Sequence, residues 1–65
     1  MRLLVGDHAR RRMFERGIAI DEVAEAVRKG RKWREGDKLH AVIRNIEVVY
    51  KVVDSDTFVI TVHYR

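Results

Sequence analysis

Three segments rich in valine, isoleucine and aromatic residues occupy the second half of this 65-residue chain, and each is bounded by short turns. The segments span residues 38–44, 46–53 and 57–64, and the turns contain Gly36-Asp37, Arg44-Asn45 and Asp54-Ser55-Asp56. Connections this short join antiparallel strands, because a parallel crossover needs a dozen or more residues. The pattern therefore predicts three antiparallel strands, to which residues 2–5 can add a short fourth one.

Two helices are predicted before the strands, over residues 8–16 and 21–29. Asp7 and Asp21 suit their N-caps, because a short acceptor side chain binds the free backbone N–H groups of a first helical turn. Gly17 suits the end of the first helix. The order of elements predicts a single α+β domain over residues 1–65, with two N-terminal helices packed on one face of a three- to four-stranded antiparallel sheet.

Alternation along each strand divides the predicted sheet into two faces. The face assigned to the helices is almost entirely apolar and contains Leu39, Ala41, Ile43, Ile46, Val48, Tyr50, Val52, Phe58, Ile60, Val62 and Tyr64. The opposite face, called the open face below, mixes charged residues with Val42, Val49, Val53 and Val59. Exposed valines would favour a homodimer or another partner on this face. A bulge in any strand would invert part of the assignment.

The composition argues against several classes of site. The chain has no cysteine, which leaves neither disulfides nor thiolate metal ligands. Its three histidines are widely separated, which does not suit a zinc site, and no glycine-rich phosphate loop is present. We therefore expect neither a metal nor a cofactor. No apolar run approaches membrane length, so we expect no membrane association and a cytoplasmic location.

Positive charge is concentrated in the first half of the chain. Residues 1–34 hold ten of the fourteen Lys and Arg residues and five of the ten acidic ones, so this half accounts for the whole net charge of +4. The basic residues form two blocks, at 8–16 and 28–34. Clustered cations attract anions, and phosphate is the usual one. We therefore expect a nucleic-acid partner; the alternative is a solvated polar face.

Residues 7–18 contain His8-Ala9, Arg12-Met13 and Arg16-Gly17-Ile18, and this run resembles the opening motif of the domain of unknown function 4258 family. The closing segment 59–62 is a second match, and the resemblance extends over essentially the whole chain. Members of the family look similar in fold to small ribonuclease toxins, to the RelE and ParE group and to barnase-like nucleases. The resemblance implies helices on one sheet face, an RNA site on the other, and an antitoxin-like protein partner.

The open face carries candidate catalytic residues. Metal-independent RNA cleavage needs a base for the 2′-hydroxyl, an acid for the leaving oxygen and cations for the phosphate. We expect Glu47 or His40 as the base and His63 as the acid. The candidate phosphate ligands are Lys51, Arg44 and Arg65. Alternatively, Glu47 and Lys51 form a surface pair of little energetic weight, and the two histidines are solvated.

A row of residues on the first helix is a second candidate site. It consists of His8, Arg12 and Arg16, which are spaced by four, with Arg11 beside them. The row can grip phosphate, and His8 can act as an acid or a base. Alternatively, His8 bonds to nearby backbone, and the arginines pair with carboxylates such as Glu15 or Glu47. Both candidate sites become one site only if the helix edge borders the open face.

The basic block at 28–34 favours binding over catalysis. Trp33 can stack on a base while the cations around it contact phosphate. Those cations are Arg31, Lys32 and Arg34. The alternative, which we favour for Trp33, is that its ring closes the core below the loop that leaves the second helix.

The leading hypothesis is that the chain is an RNA-directed protein of toxin-like fold. If it is an enzyme, we expect it to be a metal-independent endoribonuclease. The alternative is a non-catalytic homodimeric module that binds nucleic acid or protein through the same basic surface. The sequence leaves open whether the chain is an enzyme.

Overall fold

The computed structural model describes residues 2–65, which form two helices and five strands. The elements are β1 (Arg2–Val5), α1 (Asp7–Arg16), α2 (Ile20–Lys29), β2 (Arg31–Glu35), β3 (Lys38–Ile43), β4 (Ile46–Val53) and β5 (Asp56–Tyr64). The strands make one sheet in the order β1-β5-β4-β3-β2. Strands β2 to β5 pair antiparallel with their neighbours, whereas β1 pairs parallel with β5. The α+β class is confirmed, but the prediction of three to four antiparallel strands is wrong, because the sheet has five strands and is mixed.

The strand absent from the prediction is β2, which the sequence analysis treats as a basic binding block. Its sequence, Arg-Lys-Trp-Arg-Glu, has no apolar alternation. The strand lies at the edge of the sheet, where one side faces solvent and charged side chains oppose further pairing. It forms a hairpin with β3 that sets Trp33 opposite His40 and Arg31 opposite Val42.

Both helices begin one residue earlier than predicted. Asp7 is the first residue of α1 and Asp21 lies in the first turn of α2, so neither is the N-cap that the prediction made it. At the start of α2 the backbone N–H of Ala19 donates to Oε1 of Glu22 at 2.9 Å. Gly17 ends α1 with a φ of 67°, as predicted. Neither helix described for residues 2–65 has the length and hydrophobicity needed to cross a membrane.

Both helices pack on one face of the sheet, α1 against β5 and α2 against β3 and β4. The buried core residues are Ala9, Met13, Ile18, Val23, Ala26, Val27, Ala41, Ile46, Val48, Tyr50, Val59 and Val62. The central strand β4 contributes Ile46, Val48 and Tyr50, none of which is more than 3% exposed. Burial of this apolar face is the main force that holds the helices on the sheet.

A bulge in β5 reverses part of the predicted face assignment. Val49 pairs with Thr61 and the next residue, Tyr50, pairs with Val59, so Ile60 has no partner in the ladder. The extra residue shifts the two-residue alternation of side chains by one. Val59, predicted on the open face, is therefore fully buried in the core, and Phe58, predicted in the core, is 40% exposed.

The valine patch that favoured a homodimer is consequently much smaller than predicted. Val59 belongs to the core, Val42 is half-buried, and Val49 is buried although it lies on the open face. Val53 is exposed as predicted, and Val52, predicted in the core, is exposed as well because it lies near the end of β4. The bulge adds Phe58 to this face, so its exposed apolar side chains are Leu4, Val53 and Phe58.

Gly30 joins α2 to β2 at a place where a side chain has no room. A β-carbon there would lie 2.5 Å from the backbone oxygen of Ala26 and 2.7 Å from that of Val42. We expect Gly30→Ala to lower the free energy of unfolding by about 3 kcal/mol, because the helix end and the strand must separate. Urea denaturation measures this loss.

The matched comparison is Gly36→Ala. Gly36 has a φ of 64°, yet no atom lies within 4 Å of an added β-carbon. The left-handed backbone alone should cost about 1 kcal/mol. Equal losses in the two variants would contradict the close approach at Gly30.

Candidate functional site

The carboxylate of Glu47 is buried in the middle of the open face, and its side chain is only 10% exposed. Its Oε2 lies 2.6 Å from Nδ1 of His40, a hydrogen-bond distance. Its Oε1 lies 3.2 Å from Nε2 of His63 and 3.6 Å from Nε of Arg65. One buried carboxylate is thus surrounded by three side chains that carry, or can carry, a positive charge.

Strand register brings these residues together. Glu47 stands opposite His63 of β5 on one side and Val42 of β3 on the other, and Val42 stands opposite Arg31 of β2. The adjacent row of the same face contains Trp33, His40, Val49 and Thr61. Directly opposed side chains of antiparallel strands have β-carbons about 5 Å apart, so neighbours within each row can touch. The Glu47 patch, as used below, comprises Arg31, Trp33, His40, Glu47, His63 and Arg65.

Burial and neighbouring charges act on Glu47 in opposite directions. Burial raises its pKa, because removal from water disfavours the charged carboxylate. The hydrogen bond with His40 and the charges of His63, Arg65 and His40 together outweigh burial, so the pKa of Glu47 is lowered. The carboxylate is therefore an anion at neutral pH, with the Arg65 guanidinium as its permanently charged partner.

The indole ring of Trp33 contacts the imidazole of His40 and the guanidinium groups of two arginines. Its ring stacks on that of His40, with centroids 5.0 Å apart and planes 9° from parallel. The guanidinium carbons of Arg31 and Arg65 lie 5.7 and 5.5 Å from its centroid, within cation–π range. Trp33 is half-buried outside the hydrophobic core, so the favoured prediction that it closes the core is wrong.

Glu35 contacts this patch and is absent from the predicted site residues. Its Oε1 lies 3.0 Å from Nε2 of His40, which places the imidazole between an exposed carboxylate and the buried one of Glu47. Arg31, Trp33 and Glu35 alternate along β2, and side chains two apart share a face of a strand. That spacing is the signal that could have placed all three residues on the open face.

Accessibility divides the patch into an inner and an outer part. The side chains of His40 and Glu47 are 13% and 10% exposed, whereas those of His63 and Arg65 are 41% and 47% exposed. Arg31 is exposed as well. A ligand on the open face therefore meets His63 and the arginines first. Across the part of the chain that the structure describes, no group of three His, Asp or Glu side chains is arranged to hold a metal ion.

Two of the predicted phosphate ligands, Lys51 and Arg44, form ion pairs with carboxylates outside the Glu47 patch. Nζ of Lys51 lies 3.1 Å from Oδ2 of Asp37, in the turn before β3. Arg44 donates a hydrogen bond of 2.8 Å to Oε1 of Glu25 on α2, and this bond lowers the pKa of Glu25. Arg44 therefore links the β3–β4 turn to a helix and does not join Glu47.

The α1 row lies on the other side of the sheet from Glu47, because α1 covers the core face. Arg12 contacts Glu15 at 3.6 Å, which confirms the structural pairing predicted for it. The exposed members of the row are His8, Arg11 and Arg16. The structure therefore does not bring the α1 row and the Glu47 patch into one site.

The 28–34 block is divided between the two sheet faces. Lys32 pairs with Ala41 and Arg34 with Leu39, so both point away from Trp33. Nζ of Lys32 donates to the backbone oxygens of Arg28 and Gly30, at 3.3 and 3.1 Å. A cation at this position stabilises the C-terminal end of α2.

We expect Glu47→Gln to lower the free energy of unfolding at neutral pH by about 1–3 kcal/mol, because three neighbours lose a buried counter-charge. The pKa of folded Glu47 lies below its ordinary value of 4.5. The stability that the carboxylate contributes is therefore fully present above that value and is lost as the pH falls through the lower pKa of the folded state.

Urea denaturation of both proteins across this acidic range should show their unfolding free energies converging as the pH falls. The matched control is Glu15→Gln, which removes a carboxylate that is half exposed beside Arg12 and should change stability little. A difference between wild type and Glu47→Gln that stays constant into acid would contradict the charge role of Glu47.

Comparison with known proteins adds a family and a fold. Residues 5–64 match the model of the family described as domain of unknown function (DUF4258). No curated protein matches the chain. The fold is similar to a chain in the crystal structure of the toxin–antitoxin complex RelBE2 from Mycobacterium tuberculosis, with a TM-score of 0.71 and 19% identity. That similarity covers 98% of this chain and 96% of the other.

At this level of identity the structural match supports the toxin-like fold alone. The family match includes the opening motif at residues 7–18 and nearly all of the sheet. The chain belongs to the DUF4258 family.

Proposed function

We propose that the Glu47 patch binds RNA and that His63 transfers a proton in its cleavage, so that the protein is a metal-independent endoribonuclease. The observation that carries this proposal is an accessible histidine and an accessible arginine, His63 and Arg65, in contact with one buried carboxylate. The net charge of +4 suits a polyanionic ligand. The similarity of the fold to a chain of a toxin–antitoxin complex also supports the proposal.

Trp33 and the two arginines beside it form the binding part of the proposed site. A base that approaches the indole brings its phosphate near the guanidinium groups of Arg31 and Arg65. Stacking and phosphate contacts of this kind do not depend on the identity of the base. We therefore expect single-stranded RNA to bind with little sequence preference.

The proposed cleavage uses the 2′-hydroxyl of RNA as the nucleophile. His63 accepts its proton, the 2′-oxygen attacks phosphorus, and the bond to the 5′-oxygen breaks. The leaving 5′-oxygen takes a proton from water, and the products end in a 2′,3′-cyclic phosphate and a 5′-hydroxyl. Glu47 stabilises the imidazolium formed, as a buried carboxylate does beside a catalytic histidine. The proposal gives His63 the role of base in place of the acid role expected from the sequence, since the side chains of His40 and Glu47 are only 13% and 10% exposed.

A second candidate is a non-catalytic module that binds nucleic acid or protein. It is favoured by the contacts of Glu47 and His40, since both carboxylate oxygens and both ring nitrogens already have partners, as in a structural cross-link. As a nucleic-acid-binding module it also predicts salt-dependent RNA binding, and as a protein-binding module it predicts none; only the first candidate predicts cut RNA. An antitoxin-like protein partner is compatible with either.

RNA binding should weaken steeply as salt rises, because each phosphate contact releases counterions. We expect Arg65→Ala to reduce the slope of log affinity against log salt by about one. The matched control is Lys29→Ala, which removes an exposed cation at the end of α2 and should leave the slope nearly unchanged. Fluorescence anisotropy with a short labelled RNA measures both, and equal slopes in the two variants would contradict binding at the patch.

Cleavage should fall by at least about 100-fold in His63→Gln, because the proton acceptor is removed. Its RNA affinity should remain within about twofold of wild type, since the arginines supply the phosphate contacts. Gel assays of the same RNA across neutral pH, with Lys29→Ala as the control, measure this. If His8→Gln loses cleavage and His63→Gln keeps it, the catalytic site lies on α1. If the wild-type protein leaves the RNA intact, the endoribonuclease proposal fails and the non-catalytic module is favoured.

A further inference from the structure

The two edges of the sheet differ in their chemistry. β2, at one edge, has the sequence Arg-Lys-Trp-Arg-Glu, and charged side chains of this kind oppose the addition of another strand. β1, at the other edge, has the sequence Arg-Leu-Leu-Val, and its one charged residue, Arg2, is paired with Asp56 at 2.7 Å. Within residues 2–65 no strand lies beyond β1. The β1 edge therefore lacks the protection that charge gives to β2.

The backbone of β1 can pair with a further strand through two of its residues. The N–H of Gly6 donates to the backbone oxygen of Val59 at 3.2 Å, so it points toward β5. Because backbone directions alternate along a strand, the N–H and C=O groups of Leu3 and Val5 point to the free edge. These groups can accept and donate the hydrogen bonds of an added strand.

Apolar surface lies beside this edge, between β1 and the helices. A cleft of about 470 Å³ is lined there by Leu3, Leu4, Val5, Arg10, Met13 and Ile20. Phe14 is 88% exposed and lies one helical turn after Arg10, on the same side of α1. Ile20 is 47% exposed. A nearly fully exposed phenyl ring next to an apolar cleft is typical of an interaction surface.

The charges around the cleft are balanced. Arg10 and Arg11 are exposed on α1, and Asp7 and Asp21 are exposed in the first turns of the two helices. None of these four side chains forms an ion pair within residues 2–65. With two cations and two anions, the surface does not repel a copy of itself, and each charge lacks a partner that a copy can supply.

We infer that the protein forms a homodimer in which the β1 strands of two copies pair antiparallel across a twofold axis. With Leu4 opposite Leu4 of the other copy, Leu3 of each copy exchanges backbone hydrogen bonds with Val5 of the other. A twofold interface is isologous, so each copy supplies both an exposed Phe14 and a cleft beside which the other copy packs. The inferred dimer therefore differs from the one expected from the sequence, which used the open face.

The twofold axis also brings opposite charges together. α1 follows β1 after one residue and folds back over the sheet, so Arg10 lies near the end of β1. Asp21 follows Ile20 at the start of α2, beyond the other end of α1. Because the axis reverses the direction of the second copy, Arg10 of each copy approaches Asp21 of the other. The interface leaves the Glu47 patch uncovered, so the inference does not depend on the proposed RNA site.

Sedimentation velocity of the intact protein should show a monomer–dimer equilibrium with a dissociation constant of about 1–50 µM, because one short strand pair makes a small interface. Phe14→Glu should raise this constant by at least about tenfold. The matched control is Val53→Glu, which changes an exposed apolar side chain of the open face and should stay within about threefold of wild type. Both side chains are exposed, so we expect both variants to fold, and circular dichroism checks this. Equal weakening by the two variants would assign the dimer to the open face and overturn the inference.

A charge exchange tests the register of the two copies. Arg10→Glu and Asp21→Arg each bring like charges together at both symmetric contacts, so each variant alone should dimerise at least about tenfold more weakly than wild type. An equimolar mixture of the two variants should recover dimers within about threefold of wild type, because opposite charges then meet again at both contacts. Absence of recovery on mixing would overturn the inference.

Amide hydrogen exchange locates the strand pairing. Exchange at the N–H groups of Leu3 and Val5 should slow as the protein concentration rises through the dissociation constant, since these groups gain hydrogen bonds in the dimer. Amides of β2 should show no such dependence on concentration. A protein that stays monomeric at about 1 mM, or a dimer with unchanged exchange at Leu3 and Val5, would overturn the inference.

Discussion

The extra residue in β5 is the constraint on which both faces of the sheet depend. Before Ile60, Val59 faces the helices and lies beside β1; after it, Val62 faces the helices and His63 stands opposite Glu47. A regular strand would keep only one of these two valines in the core, because alternation places residues three apart on opposite faces. Full burial of both offsets the interruption in the hydrogen-bond ladder.

The buried carboxylate of Glu47 connects stability with ligand binding. An unpaired anion in this position would be strongly destabilising, so the hydrogen-bond and charge partners of Glu47 are part of the fold. Two of these partners, His63 and Arg65, are also the ones that solvent reaches most easily. A phosphate that binds there competes with Glu47 for the same charges. The affinity of the patch for anions is therefore limited by the demand of the carboxylate beneath it.

The predictable parts of this molecule depend on local sequence. β3 and β4 follow from turn residues and two-residue alternation, and the same alternation places Glu47 and His63 on one face. The bulge could not be predicted, since Val59 and Ile60 are equally apolar and either could face the core. β2 could not be recognised in the sequence, because its mostly charged residues show no apolar alternation. It forms through pairing with β3. The depth of Glu47 depends on neighbours across three strands, chiefly His40, and no local pattern encodes it.

The parallel pairing of β1 with β5 has a consequence for how the chain reaches its fold. Arg2 and Asp56 are 54 positions apart, and their ion pair closes the longest loop in the sheet. Closing a loop of this length is entropically costly, and contacts of high sequence separation slow folding. Until β5 pairs with β1, Leu3, Val5 and Met13 lack the strand that covers them. Partly folded chains without β5 in place therefore expose apolar surface that favours aggregation.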